Sequence, residues 1–174
     1  MGHNIVLIGM PACGKSKVGS LLAKKLSDYT LIDTDSFIEK TSGMNISEIF
    51  KKYSEDYFRK LEYDAIKLSA VGKNKILSIG GGAFENPDTR GRLLRFGKVF
   101  YLKSDLDVLY YRISKERTRP LLEVENPKLE LEKLLRKREE NYSQAHYVID
   151  TSILSTDEVI DFILGSINAT NSQC

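Results

Sequence analysis

Hydrophobic and polar positions divide this chain into two alternating kinds of segment. Short apolar runs at residues 4–8, 30–32, 76–79, 98–102 and 147–149 read as strands. Between them, apolar side chains recur every three or four positions. Val18, Leu21, Leu22 and Leu26 make one such stripe, and Phe58, Leu61, Ala65 and Leu68 a second. Leu131, Leu134 and Leu135 make a third, and Ile160, Ile163, Leu164 and Ile167 a fourth. Stripes of this spacing predict helices with one buried face. A further helix is expected to begin near Ser36. Strands alternating with helices predict an α/β domain, its parallel sheet covered on both faces. In such a sheet, ligands bind at the C-terminal edge of the strands, where the loops gather. No repeat or long linker interrupts the pattern, so one domain is expected over residues 1–174, with a polar tail from 168 that frays.

The first strand leads into Gly9-x-x-x-x-Gly14-Lys15-Ser16, and a helix pattern follows. Strand, glycine-bounded loop and helix, in that order, make a P-loop. The glycines let successive backbone N–H groups turn inward around a polyphosphate, and the helix aims its N-terminus at the same anion. Lys15 brings a positive charge to the β/γ-phosphates, and the Ser16 hydroxyl suits Mg²⁺. The motif predicts nucleotide binding without naming a reaction, since switches, motors and kinases share it.

Composition narrows the field. The 174 residues carry a net charge of +2, from 26 basic and 24 acidic side chains, which gives no reason to expect nucleic acid or a membrane as partner. Two cysteines, Cys13 and Cys174, are no disulfide framework, and with His3 and His146 they lack metal-ligand spacing. Without an N-terminal signal pattern or a long apolar run, a soluble cytoplasmic protein is expected.

Five more features follow a strand, lie on a helix or follow one. Asp33 and Asp35 stand one residue apart at a strand end, where alternation would put both on one side. One carboxylate could then hold Mg²⁺ waters and the other face an attacking hydroxyl, although a simple capped turn fits as well. Arg59 and Glu62 are three apart and able to pair. Since Glu62 falls beside the apolar stripe, a partly buried pair that orients Arg59 is expected in preference to a surface ion pair of little weight. Gly80-Gly81-Gly82 ends a strand and marks a turn or bare backbone meeting a ligand. Arg138 continues the inward stripe of Leu131, Leu134 and Leu135, where a charge needs a partner unless its stem carries it outward. The basic loop Lys115-Glu-Arg-Thr-Arg-Pro120-Leu-Leu122 could close over a nucleotide and exclude water.

Taken in order, Gly9 to Ser16, Asp33-Thr34-Asp35, Phe58-Arg59, Gly80-Gly81-Gly82, Arg119-Pro120-Leu121-Leu122 and Arg138-x-x-x-Tyr142 resemble the shikimate kinase family. The resemblance implies transfer of the ATP γ-phosphoryl group to the 3-hydroxyl of shikimate, on the way to chorismate and the aromatic amino acids. It implies Mg²⁺, and the nucleoside-monophosphate-kinase fold with five parallel strands in the order 2-3-1-4-5. It implies a mobile substrate-binding subdomain near residues 34–62 and a lid near 113–125.

The resemblance also implies roles. Gly9, Ala12, Cys13, Gly14, Lys15, Ser16 and Lys17 would cradle the nucleotide, with Lys15 on the transferring phosphate and Arg112 against adenine. Arg119 would be the lid arginine. Ser16 and Asp33, with Ser78, would serve the metal, and Asp35 would orient or deprotonate the acceptor. Arg59 and Arg138 would hold the carboxylate, Gly80, Gly81 and Gly82 would meet the ring hydroxyls, and Phe50 and Phe58 would wall the pocket. A monomer is expected.

Two positions depart from the family pattern. Ala12 stands where the family usually has glycine, at a cost of about 1–2 kcal/mol if its φ is positive. Cys13 replaces another small residue. Beside Lys15 and a helix N-terminus it is expected to be thiolate-prone and open to alkylation in an empty site; the alternative is a filler whose sulfur points into the core.

Other classes stay in view. A GTPase switch would need Asn-Lys-x-Asp, and Leu77 stands where Asn74-Lys75 calls for the aspartate. A kinase of another small hydroxylated acceptor, such as gluconate, would not require Arg59, Arg138 and the three glycines together. A catalytically silent nucleotide-binding partner is disfavoured by the presence of Lys15, Ser16, Asp33 and Asp35.

Overall fold

The computed structural model describes residues 3–115 and 125–169. Its five strands are β1 (Ile5–Ile8), β2 (Thr30–Asp33), β3 (Lys75–Ser78), β4 (Lys98–Lys103) and β5 (Tyr147–Asp150). All pairings are parallel, in the order β2-β3-β1-β4-β5. The all-apolar β1, Ile5-Val-Leu-Ile8, is central and buried throughout, as a strand covered on both faces must be. Edge strands β2 and β5 tolerate exposed positions such as Thr30 and Val148.

Helices α1 (Lys15–Lys25), α2 (Thr34–Ser42), α3 (Ile46–Lys52), α4 (Glu55–Ser69), α5 (Pro87–Phe96), α6 (Leu106–Ser114), α7 (Pro127–Tyr142) and α8 (Thr156–Ala169) alternate with the strands. Helix α1 closes tightly on the sheet at Gly19, where a Cβ would stand 2.9 Å from Leu31 Cδ1 and 3.6 Å from Leu7 Cδ1. Starts are set by local chemistry. Asn45 and Glu48 form a reciprocal capping box on α3, and Asn86 and Asn126 cap α5 and α7 just ahead of Pro87 and Pro127.

Among the described residues the buried hydrophobic side chains form two clusters. The main core spans the sheet and its flanking helices. A smaller one, Ile38, Ile49, Phe58 and Ala65, is confined to α2, α3 and α4.

Two expectations need adjusting. Leu68 is 66% exposed, and the buried face of α4 is Phe58, Glu62, Ala65, Ile66 and Ser69. The α4 stripe is therefore rotated from the predicted one and carries a carboxylate inward. Helix α8 continues to Ala169, past the start of the predicted tail. Residues 170–174 lie outside the described residues, as do 116–124.

Candidate active site

The loop after β1 is wound by backbone in the left-handed region. Gly9 has φ 145° and Gly14 φ 103°. Gly9 also has no space for a side chain, since a Cβ would stand 2.6 Å from the Leu102 carbonyl oxygen and 2.8 Å from Cys13 Sγ. Ala12 has φ 62°, so the backbone conformation anticipated for a glycine is present and is borne by alanine. Lys15 Nζ reaches back along the loop and donates to the carbonyls of Gly9 at 2.9 Å and Met10 at 3.0 Å. Cys13 is only 1% exposed and belongs to the main core, which overturns the expectation of an open, alkylatable thiol. Its sulfur fills space beneath the loop, and its N–H donates to the Met10 carbonyl at 3.3 Å.

Asp33 ends β2 directly beside Ser78 of β3. Its Oδ2 accepts from Ser16 Oγ at 3.0 Å and from Ser78 Oγ at 2.8 Å, while Oδ1 caps α2 by accepting from Ser36 N at 3.2 Å. Cap and site are thus the same residue. Asp35 is not on the strand at all but in the first turn of α2. It is the strand-to-helix turn and not strand alternation that brings both carboxylates to the same cleft. Asp35 turns toward Gly80, where a Cβ would stand 2.6 Å from Asp35 Oδ1. Thr34 between them, unremarked in the sequence, is fully buried. Its hydroxyl accepts from Gly80 N at 3.0 Å and lies 3.3 Å from the Ser78 carbonyl, tying α2 to the glycine loop.

The three glycines make room for charged heads. A Cβ at Gly80 would meet Glu62 Oε1 at 2.5 Å, one at Gly81 would meet Arg138 Nη1 at 3.1 Å, and one at Gly82 would overlap the Arg59 guanidinium. Arg59 Nη1 donates to Glu62 Oε2 at 2.8 Å, and Nη2 to the exposed Glu55 at 2.9 Å. Burial works against the Arg59 charge, and the two glutamates more than offset it. Glu62 is only 2% exposed; burial lifts its carboxyl above the usual range, with Arg59 opposing and Asp35 adding to the rise. Phe58 lies under Arg59, and its ring is 4.8 Å from that of Phe50.

Arg138 is 6% exposed, so the inward charge on α7 is real, and Glu85 is the partner it required. Tyr142, one turn further on, is buried and donates to the Gly81 carbonyl. Burial raises its hydroxyl pKa above the ordinary tyrosine value, keeping it a donor.

One cleft of about 770 Å³ runs from the P-loop past Asp33 and Asp35 to the Gly81 backbone, a size that suits a nucleotide with a small second ligand. Ala12, Gly14, Lys15, Ser16, Lys17, Asp33, Asp35, Gly81 and Arg112 line it. Arg112 lies across the loop, its guanidinium 3.4 Å from the Ala12 carbonyl oxygen and 3.3 Å from that of Thr151. Phe50, Phe58, Arg59, Gly80, Gly82 and Arg138 cluster around the loop that forms its far end, while Gly9 and Cys13 lie beneath. Lys115, which opens the basic loop read from the sequence, also lines the cleft, as does Tyr111, which had no distinguishing signal. Arg119 and most of the proposed lid fall outside the described residues.

A P-loop opening from the centre of a five-stranded 2-3-1-4-5 sheet, with acidic and basic side chains gathered in the same cleft, defines a P-loop kinase of small molecules. The shikimate kinase family profile matches residues 11–168. A shikimate kinase of Thermodesulfovibrio yellowstonii is 42% identical over 161 residues, covering 92% of each chain. One from Clostridium botulinum is 45% identical over 149 residues, covering 84% of this chain and 86% of that one. The structure of a shikimate kinase from Acinetobacter baumannii in complex with shikimate superposes with a TM-score of 0.91 at 34% identity, covering 98% of this chain and 95% of that one. A gluconokinase from Sinorhizobium meliloti shares the fold alone, at 17% identity and a TM-score of 0.66. The chain belongs to the shikimate kinase family.

Proposed function

We propose that this enzyme transfers the γ-phosphoryl group of ATP to the 3-hydroxyl of shikimate, releasing ADP and 3-phosphoshikimate for aromatic amino acid synthesis. The observation that carries this reading is one cleft lined by the P-loop, Asp35 and the Gly81 backbone, with the Arg138 guanidinium packed against Gly81 and that of Arg59 against Gly82 of the same glycine loop. Shikimate has one carboxylate and several hydroxyls, and forked guanidinium groups are the complement of a carboxylate.

The roles are those the family resemblance implies, and the geometry supports them as follows. Ala12, Gly14, Lys15, Ser16 and Lys17 line the cleft and are assigned to the phosphates, through backbone N–H groups and two cations, while Gly9 and Cys13 shape the loop from beneath. Lys15 is assigned to the transferring phosphoryl group, and Arg112 to the nucleotide beside the loop. Ser16 and Asp33, with Ser78, present hydroxyl and carboxylate oxygens that fit Mg²⁺, which is bound by few protein oxygens beside nucleotide phosphates. When bound, Mg²⁺ supplies charge neutralisation at the β- and γ-oxygens.

Asp35, next to Gly80, is assigned to accept the hydrogen of the acceptor hydroxyl, and Arg59, Arg138, Phe50 and Phe58 to fix the ring. Gly80, Gly81 and Gly82 keep the floor low enough for ring and guanidinium to share it. The separate apolar cluster of α2–α4 supports motion of residues 34–62 as a unit. The lid near 113–125 and its Arg119 are assigned by resemblance, to meet developing charge and exclude water. The proposed enzyme is a monomer of the cytoplasm.

The test is ADP release in a coupled assay with shikimate, quinate, gluconate or water as acceptor, with ATP and with GTP. Release that depends on shikimate and prefers ATP supports the reading. Equal release with water, or a preference for gluconate, overturns it.

A further inference from the structure

Arg138 could present its guanidinium to a ligand in many ways, because a long side chain on a helix has several rotamers. In this structure one residue decides among them. Glu85 Oε1 accepts from Arg138 Nε at 2.8 Å, across a sequence gap of 53 residues. Glu85 is the last residue of the 3-10 turn Ala83–Glu85 that follows the three glycines.

It is itself held from several sides. Arg90 Nη1 donates to the Phe84 carbonyl at 2.9 Å and to the Glu85 carbonyl at 3.2 Å, pinning the backbone. Lys137 Nζ stands 3.4 Å from the other carboxylate oxygen. Burial pushes the Glu85 carboxyl up, but Arg138 and Lys137 together hold it below the usual range, so it is a carboxylate at neutral pH. Arg138 is then fixed at both ends of its head: Nε on Glu85, Nη1 over Gly81 beside the Tyr142 hydroxyl.

We infer that Glu85 is a positioning residue: by binding Arg138 Nε it turns the terminal nitrogens of that guanidinium toward the acceptor's carboxylate. The inference rests on the carboxylate-binding role proposed above for Arg138. Two effects of Glu85 oppose each other. Its negative charge repels an anionic acceptor, while its hydrogen bond removes the rotamer freedom that Arg138 would lose on binding. The solvent-facing side of Glu85 and the adjacent Lys137 weaken the repulsion, whereas the hydrogen bond is charge-assisted and short, so positioning dominates.

The experiment is steady-state kinetics of Glu85→Ala, Glu85→Gln and Arg138→Ala, singly, and of the Glu85→Ala/Arg138→Ala pair. Gln keeps an acceptor oxygen for Nε without the charge, and it keeps the test available should the alanine variant fold poorly. Expected results are a KM for shikimate about five- to tenfold higher in Glu85→Ala, near the parent value in Glu85→Gln, with KM for ATP and kcat within about twofold in both. In the Arg138→Ala background, Glu85→Ala adds nothing further. An unchanged KM in Glu85→Ala, or a KM lowered in both Glu85 variants, overturns the inference while leaving the role of Arg138 intact. A KM unmoved by Arg138→Ala overturns the carboxylate reading of the site itself and the role of Glu85 with it.

Discussion

The Arg59 guanidinium occupies the space that a side chain on Gly82 would need: a Cβ there would stand 2.6 Å from Cζ and 2.7 Å from Nη2. The glycine is required by a neighbouring charge 23 positions away as much as by any ligand. Gly82→Ala is therefore expected to push the Arg59 head off the loop and raise KM for shikimate about ten- to a hundredfold, the range of one lost charge-assisted hydrogen bond. Nucleotide binding, followed by ADP titration, should hardly change. Gly165→Ala on α8, where a Cβ meets nothing within 4 Å, is the control and should leave activity at the parent level. A Gly82→Ala enzyme with parental KM would mean that Arg59 does not bind the acceptor from this seat.

Asp33 and Asp35 are neighbours in sequence with different surroundings. Asp33 faces Ser16 and Ser78, so Asp33→Asn is expected to move the Mg²⁺ concentration needed for half-maximal activity. Asp35 faces Gly80 and Glu62, so Asp35→Asn is expected to lower kcat and weaken shikimate binding at saturating Mg²⁺. A neutral amide cannot take the hydroxyl proton. Mg²⁺ titrations that coincide for the two variants would refute this division.

Ala12 carries a left-handed backbone, φ 62°, without the glycine that bears it freely. The strain is about 1–2 kcal/mol, and glycine would return part of it as unfolded-chain entropy of about 0.4–1 kcal/mol. Ala12→Gly should then stabilise the protein by about 1 kcal/mol and raise Tm by about 2–4 °C for a domain of this size. Calorimetry checks it; a lowered Tm would mean that the loop does not hold Ala12 in that conformation.

His146 Nδ1 accepts the Val99 N–H at 3.0 Å, which a proton on that nitrogen would forbid. Burial, with Lys98 adding to it, lowers the His146 pKa. The unfolded chain therefore binds this proton first as pH falls. The stabilising contribution is complete above about pH 6.5 and declines below it, by at most about 1.4 kcal/mol per pH unit, until the folded pKa is passed. Urea unfolding at pH 7.5 and 5.5 should show this loss in the parent and a smaller one in His146→Asn, whose amide oxygen can still accept from Val99. Equal losses in both would acquit His146.

What the sequence determined by itself is local. The P-loop, the five apolar runs and the helix stripes are repeats of neighbouring residues, so periodicity and glycine spacing expose them, and the ordered motifs pointed to the family. Strand ends moved by a residue: β2 runs on to Asp33, because parallel pairing with Ser78 extends the ladder. The tertiary structure alone decided which charges meet. Asp33 reaches Ser78 across 45 positions and Arg138 reaches Glu85 across 53. Leu68 is exposed although local spacing put it on the buried face of α4. Cys13, which its sequence neighbours marked as reactive, is closed off by the core below the loop. Each of these depends on how strands are stacked and helices rotated against the sheet, and such long-range packing leaves no periodic trace in the chain.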